Sequence, residues 1–266
     1  MKPIVLLTGA AGGLGKALIR QFLTHGWIVI ATDNRELSLA EFIQEESVQV
    51  INMNITSEES VNTVFDKLNL QQITLDLIIN NAGIDCYFPL SEAPAKDFIN
   101  IFNVNVFGAY RVNQTFLPIL RKPGAKIIHI GSESLNLKVP FMPYPLSKNL
   151  LETYSKVLRQ ELQFLGISVV TIRPGAIQTS LLDGVSGLMR QKDSWKLDKP
   201  FHKFASLAAK LVGYAITADK AAEYIYKISL LKRPRAVYRI NNKIKLKLAA
   251  FLPQSFLEKI IKRILS

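Results

Sequence analysis

The chain has 266 residues, 48% of them hydrophobic, enough to bury one large core and within the size that α/β folds reach as one domain. Its one cysteine, Cys86, excludes an internal disulfide and suits a reducing cytoplasm, while the start of the chain offers no signal peptide and no run of about 18 uncharged apolar residues offers a transmembrane helix. The net charge of +12 is uneven: residues 228–266 carry ten Lys/Arg against Glu258 alone, so a nearly neutral body is followed by a basic appendage.

Short apolar runs alternate with helical patterns. Residues 4–7 read as a buried strand, 14–24 as a helix with Leu14, Ala17, Leu18 and Phe22 on one face, and 27–31 as a second strand. Residues 48–53 read as a third strand and 57–68 as a helix opened by Ser57, Glu58 and Glu59. Residues 75–79, 126–130 and 167–172 are the fourth to sixth strands, separated by helices over 95–120 and 144–165. Strands alternating with helices predict a parallel, doubly wound α/β sheet with helices on both faces, and continuous apolar strands fit burial on both sides.

Within this frame, Ser132, Tyr144 and Lys148 form a candidate acid/base group. On a helix, Tyr144 and Lys148 lie one turn apart on one face. A free tyrosine has a pKa of about 10 and is a poor proton carrier at neutral pH; an ammonium one turn away favours its phenolate. Ser132, at a strand end, can hydrogen-bond the oxygen of an alcohol or carbonyl. By themselves a Tyr and a Lys at this spacing are chance neighbours on an ordinary helix; the rest of the chain decides the matter.

Thr8-Gly9-Ala-Ala-Gly12-Gly13-Leu14-Gly15 falls between the first strand and the first helix, where a phosphate-binding turn belongs. Asp33 ends the second strand. A carboxylate there can take both ribose hydroxyls of a dinucleotide and repels a 2′-phosphate, which favours NAD(H). Arg35, two residues on, leaves NADP(H) open, and Asp33 could also be only a solvated strand end.

Thr8–Gly15, Asn80-Asn81-Ala82-Gly83, Asn105 in Asn-Val-Phe-Gly, Ser132, Tyr144-xxx-Lys148 and Arg173-Pro174-Gly175-Ala-Ile177-Gln-Thr179 stand in the order found in the short-chain dehydrogenase/reductase family, which the chain resembles over roughly residues 4–240. The resemblance implies a Rossmann-type domain over 1–240, with a substrate lid at about 180–216, and a hydride exchanged between nicotinamide and a secondary alcohol or ketone. It implies that Asn81, Ala82 and Gly83 shape the wall beside the adenine ribose, and that Pro174, Gly175, Ile177 and Thr179 line the nicotinamide. Asn54, next to Ile55, stands where an aspartate commonly contacts adenine. Asn105 matches an asparagine that holds a water near the lysine; read alone, it is a buried helix asparagine bonded to backbone. Pro145 places Tyr144 at or just before the first helical turn. No metal is expected. The rival is a non-catalytic dinucleotide sensor or partner-binding protein on the same fold.

The resemblance runs towards branches that handle lipophilic alcohols. Leu181, Leu182, Val185, Leu188, Met189, Trp195 and Phe201, with Phe88, Phe141 and Met142, offer an apolar cleft or simply pack the domain. In the extension 241–266, residues 255–265 form an amphipathic helix with Phe256, Leu257, Ile260, Ile261 and Ile264 on one stripe and Lys259, Lys262 and Arg263 elsewhere. That stripe either covers the body or meets anionic lipid at a membrane periphery. No nucleic acid is expected, for want of aromatic platforms. A cytoplasmic enzyme, dimeric or tetrameric, is the corresponding whole-molecule expectation.

Overall fold

Seven parallel strands form one sheet in the order β3-β2-β1-β4-β5-β6-β7. The computed structural model describes residues 2–136, 138–179, 195–211, 215–241 and 254–266. In chain order these are β1 (Ile4–Thr8), α1 (Gly13–Thr24), β2 (Ile28–Asp33), β3 (Val48–Asn52), α2 (Glu58–Leu70), β4 (Leu77–Asn80), α3 (Ala95–Phe102), α4 (Ala109–Phe116), β5 (Lys126–Ile130), α5 (Tyr144–Leu162), β6 (Ser168–Pro174), α6 (Asp198–Leu211), α7 (Ala218–Ser229), β7 (Val237–Ile240) and α8 (Gln254–Leu265).

Side chains alternate along each strand, so every strand feeds both faces. On one face Val5, Leu7, Val29, Ile79, Ile128 and Ile172 pack against Leu18 and Phe22 of α1 and Ile225 of α7. On the other, Leu6, Ile30, Ile78, Ile127 and Val169 pack against Val61 and Leu68 of α2 and Val112 and Phe116 of α4. Phe22 anchors its layer by edge-on contacts with Trp27 and Tyr226, centroids 5.1 and 5.2 Å away. Ser57 caps α2 by accepting from the Ser60 amide at 3.2 Å, with Glu58 and Glu59 in the first turn where the helix dipole favours acid.

The predicted strands and helices are present, with displaced ends. Leu75 is not in β4 but bridges Leu120. The helix expected over 144–165 gives way after Leu162 to a 3₁₀ turn, Gln163–Leu165, closed by Gly166 at φ 69. The helix expected over 95–120 is broken by a π-helical turn, Asn103–Gly108, between α3 and α4. Further 3₁₀ segments are Glu36–Phe42, Leu117–Ile119 and Glu133–Asn136, and helix α7 is capped by Thr217.

Candidate active site

Thr8 pairs with Thr32, Asp33 with Asn52, Asn80 with His129 and Ile130 with Ile172, so the carboxyl ends of the strands line one edge of the sheet. The order reverses between β1 and β4, and a crevice for a ligand opens outside such a reversal.

The turn from β1 to α1 borders this crevice. Gly9 has φ +65, and a Cβ there would lie 2.6 Å from the Ala82 Cα, so the turn and the loop after β4 touch backbone to backbone. Asn81 fastens them: its Nδ2 donates to the carbonyls of Thr8 (3.1 Å) and Gly9 (2.9 Å), while Thr8 Oγ1 accepts from the Asn81 and Ala82 amides. α1 begins at Gly13 with no side-chain cap from Gly12 and no acid in its first turn, which leaves a helix N-terminus for an anion. Asp33 is buried, its Oδ2 accepting from Ala11 N and its Oδ1 from the backbone and guanidinium of Arg35. Asn54 Oδ1 is taken by the amide and hydroxyl of Thr56, and Ile55 is buried beneath Gly108. After β6, Gly175 N donates to Ile240 O, Ile177 bridges Ile216, and Thr179 reaches the glycine turn: a Cβ on Gly13 would sit 3.1 Å from its Cγ2. A glycine-rich turn, an open helix N-terminus and a buried carboxylate at the end of β2 together fit a dinucleotide.

Across the crevice, Tyr144 opens α5 with Pro145 after it, where the missing N–H of proline costs nothing. Lys148, one turn on, is buried; its Nζ donates to Ile130 O at 2.8 Å and lies 5.5 Å from the Tyr144 ring centroid. Ser132, just past β5, accepts from the Ser134 amide at 3.1 Å and shares a hydrogen bond with the Ser134 hydroxyl at 2.8 Å, and it acts on Tyr144 to oppose a rise in its pKa. Asn105 lies on the π turn. Its Oδ1 accepts from Ile84 N (2.8 Å), and its Nδ2 donates to Ile84 O and to Ser147 Oγ (both 2.9 Å). A Cβ on Gly83 would stand 3.1 Å from Asn105 Oδ1 and 3.3 Å from Lys148 Nζ and would press on both groups.

Burial dominates the electrostatics. It lowers Lys148 to about 8, with the charge of Asp85 opposing. It raises the Tyr144 hydroxyl above its ordinary value; Asp85 adds to the rise and the Ser132 hydrogen bond opposes it. Desolvation of the phenolate, not the Lys148 ammonium engaged by the Ile130 carbonyl, sets the direction at Tyr144. Beneath the site, burial pushes His129 down to about 3. Arg173 of β6 forms a buried bidentate pair with Glu152 of α5, tying that helix to the sheet.

The wall is apolar. Tyr87, Phe141, Phe201, Ala205 and Leu265 form one cluster, with Met142, Trp195, Phe204 and Ile261 against it. Phe88 is buried and donates its amide to Phe141 O. Phe141 holds φ 66, a left-handed conformation costly for a bulky residue. Leu181, Leu182, Val185, Leu188 and Met189 lie outside the described residues, as does the segment 242–253. α8 meets α6 by way of Ile261 and Leu265, while Phe256 and Ile264 stay exposed. No described helix is long and apolar enough to cross a membrane, and no described cluster could hold a metal.

Sequence reasoning passed over Asp85, Tyr87 and His129. Asp85 follows the Asn-Asn-Ala-Gly run, and only the fold turns its carboxylate toward Lys148 and Tyr144. No local pattern marks Phe141 as left-handed.

Residues 3–187 match the family of short chain dehydrogenases. The chain is 32% identical over 277 residues to the uncharacterized oxidoreductase YusZ of Bacillus subtilis, covering 98% of both chains. It is 32% identical over 207 residues to estradiol 17-beta-dehydrogenase 2 of Rattus norvegicus, covering 73% of this chain and 52% of that one. A short chain dehydrogenase/reductase from Burkholderia phymatum, solved in complex with NAD, superimposes with a TM-score of 0.80 at 19% identity, over 97% of this chain and 95% of that one. The chain belongs to the short chain dehydrogenase family: it is an oxidoreductase that moves a hydride between a nicotinamide dinucleotide, NAD or NADP, and an alcohol or carbonyl carbon.

Proposed function

We propose that the protein interconverts a lipophilic secondary alcohol and its ketone, prefers NAD(H), and uses Ser132, Tyr144, Lys148 and Asn105 to do so. The observation that carries this reading is the buried Lys148 Nζ 5.5 Å from the Tyr144 ring, one helical turn on, with Asp33 buried at the end of β2. When bound, the nicotinamide supplies or accepts the hydride.

Ser132 Oγ holds the substrate oxygen and Tyr144 passes the proton to or from it. Lys148 steadies charge on Tyr144 and holds the nicotinamide ribose. Asn105 fixes the loop after β4 against α5 through Ile84 and Ser147, so the lysine and the tyrosine keep one geometry. Asp33 takes the adenosine ribose hydroxyls. Arg35 is held by Asp33 at 3.2 Å, an arrangement that keeps the guanidinium from offering itself freely to a 2′-phosphate. Thr8, Gly12, Gly13, Leu14, Gly15, Asn54, Ile55, Pro174, Gly175, Ile177 and Thr179 complete the cofactor wall. Lipophilicity is supported by the aromatic cluster around Phe141 and Phe201, to which α8 adds Leu265.

Fluorescence titration with NADH and with NADPH tests the cofactor assignment. Tighter NADH binding, reversed by Asp33→Ala, is expected; tighter NADPH binding by the unaltered protein would assign the ribose end to Arg35 instead.

A further inference from the structure

Much of what α5 buries is polar. Its buried positions include Ser147, Lys148, Glu152 and Ser155, and each makes a directional bond. Ser147 Oγ donates to Tyr144 O and accepts from Asn105 Nδ2. Lys148 Nζ donates to Ile130 O at 2.8 Å, Glu152 pairs with Arg173, and Ser155 Oγ lies 2.6 Å from His129 Nδ1. An apolar stripe can slide along a sheet by a fraction of an ångström at little cost. Hydrogen bonds resist such sliding, because they weaken steeply as distance and angle depart from the optimum.

Two of these bonds reach adjacent residues of β5. Lys148 holds the carbonyl of Ile130, and Ser155, two turns along the same face of α5, holds the side chain of His129. Ser155 Oγ donates to Leu151 O at 2.7 Å, so the proton between Ser155 and His129 belongs to Nδ1, and the imidazole donates it to Ser155. The other nitrogen of the ring is fixed as well. His129 Nε2 accepts from Asn113 Nδ2 of α4, and Asn113 Oδ1 accepts from Asn80 Nδ2 of β4, both at 2.8 Å. His129 and Ser155 are both buried, away from competing water. The imidazole is thus held from β4 and α4 at one nitrogen and passes that placement to α5 at the other.

We propose that His129 is a positioning residue for Lys148: through Ser155 it sets the place of α5 along β5, and so keeps the ammonium on the Ile130 carbonyl with its remaining donors directed to the nicotinamide ribose. His129 touches neither cofactor nor substrate in this role. The inference rests on the proposed part of Lys148 in holding that ribose.

The test compares the affinity of NADH with that of ADP, which carries the adenosine end and lacks the nicotinamide ribose; if NADPH binds more tightly, NADPH and 2′-phosphoadenosine 5′-diphosphate form the pair. Both ligands are titrated against the full chain and against variants, so no substrate is needed. Lys148→Met lowers the NADH-to-ADP affinity ratio by about tenfold, the loss of a hydrogen bond from a charged donor. His129→Leu and Ser155→Ala each lower it by about threefold or more, with ADP binding held within about twofold, because a shift of α5 weakens that same bond without breaking the adenosine site. His129→Asn, whose amide can still donate to Ser155, restores the ratio. A merely structural histidine would lower both affinities together or neither. If His129→Leu does not fold, Ser155→Ala and His129→Asn carry the comparison. A ratio lowered by Lys148→Met but unchanged by His129→Leu and Ser155→Ala would overturn the positioning role and leave Lys148 its own. A ratio unchanged by Lys148→Met would remove the ribose role of Lys148 and the inference with it. Parallel loss of NADH and ADP binding in His129→Leu and Ser155→Ala would also overturn the proposal.

Discussion

His129 lies wholly inside the protein, its Nε2 accepting from Asn113 Nδ2 at 2.8 Å and its Nδ1 2.6 Å from Ser155 Oγ. Because Ser155 already donates to Leu151 O, Nδ1 carries the proton and the ring is neutral. Its folded pKa of about 3 lies below the ordinary 6.5. Between those values the unfolded chain binds a proton that the folded one refuses, so stability is fully present above pH 6.5 and is lost as pH falls towards 3, by up to about 5 kcal/mol. His129→Gln should flatten that part of the pH–stability curve, measured by urea unfolding at pH 7 and pH 4.5; an unchanged slope would place the acid sensitivity elsewhere. The same burial governs Lys148 and Tyr144. Their spacing was legible in the sequence because four residues define a helix face, but the depth of the site was not, since desolvation depends on which other elements cover it.

At the scale of elements, the π turn at Asn103–Gly108 is the clearest difference from the expected straight helix. It carries Asn105, whose proposed role fits the tendency of such turns to occur at functional sites. Asn105→Ala would leave both polar groups of Ile84 without their partner and should cost about 1–3 kcal/mol of stability as well as lowering kcat. A fall in kcat with the unfolding midpoint unchanged would mean that the asparagine only relays protons and clamps nothing. The glycine turn, the carboxylate at the end of β2 and the Tyr–Lys helix were readable because each couples a motif to a strand–helix junction. The π turn was not, because the apolar pattern on either side is helical and one extra residue per turn leaves no compositional mark. Helix α7 also went unread: its buried face, Ala221, Ala222, Ile225, Tyr226, Ile228 and Ser229, mixes small and polar positions with large apolar ones.

Across the whole molecule, the sheet order places the dinucleotide crevice and the acid/base group on one edge, and the C-terminal helix reaches that edge too. The basic tail held two readings in the sequence, and in the structure Ile261 and Leu265 pack on the aromatic cluster while Phe256 does not. Leu265→Ala should therefore lower stability by about 2 kcal/mol, whereas Phe256→Ser should change it by less than about 0.5 kcal/mol. Equal effects in thermal melts would mean that α8 is not anchored through its last turn. Amphipathic periodicity gives a helix its stripe without saying which half of the stripe is covered; only the position of α6 decides that.

The most direct measurement is deuterium transfer from NADH deuterated at C4 to a lipophilic ketone, by the unaltered protein and by Tyr144→Phe. The account predicts deuterium at the carbinol carbon of the product, formed at a rate lowered by roughly 10²–10⁴-fold in the variant. Full-rate transfer by Tyr144→Phe, or a product free of deuterium, would contradict it.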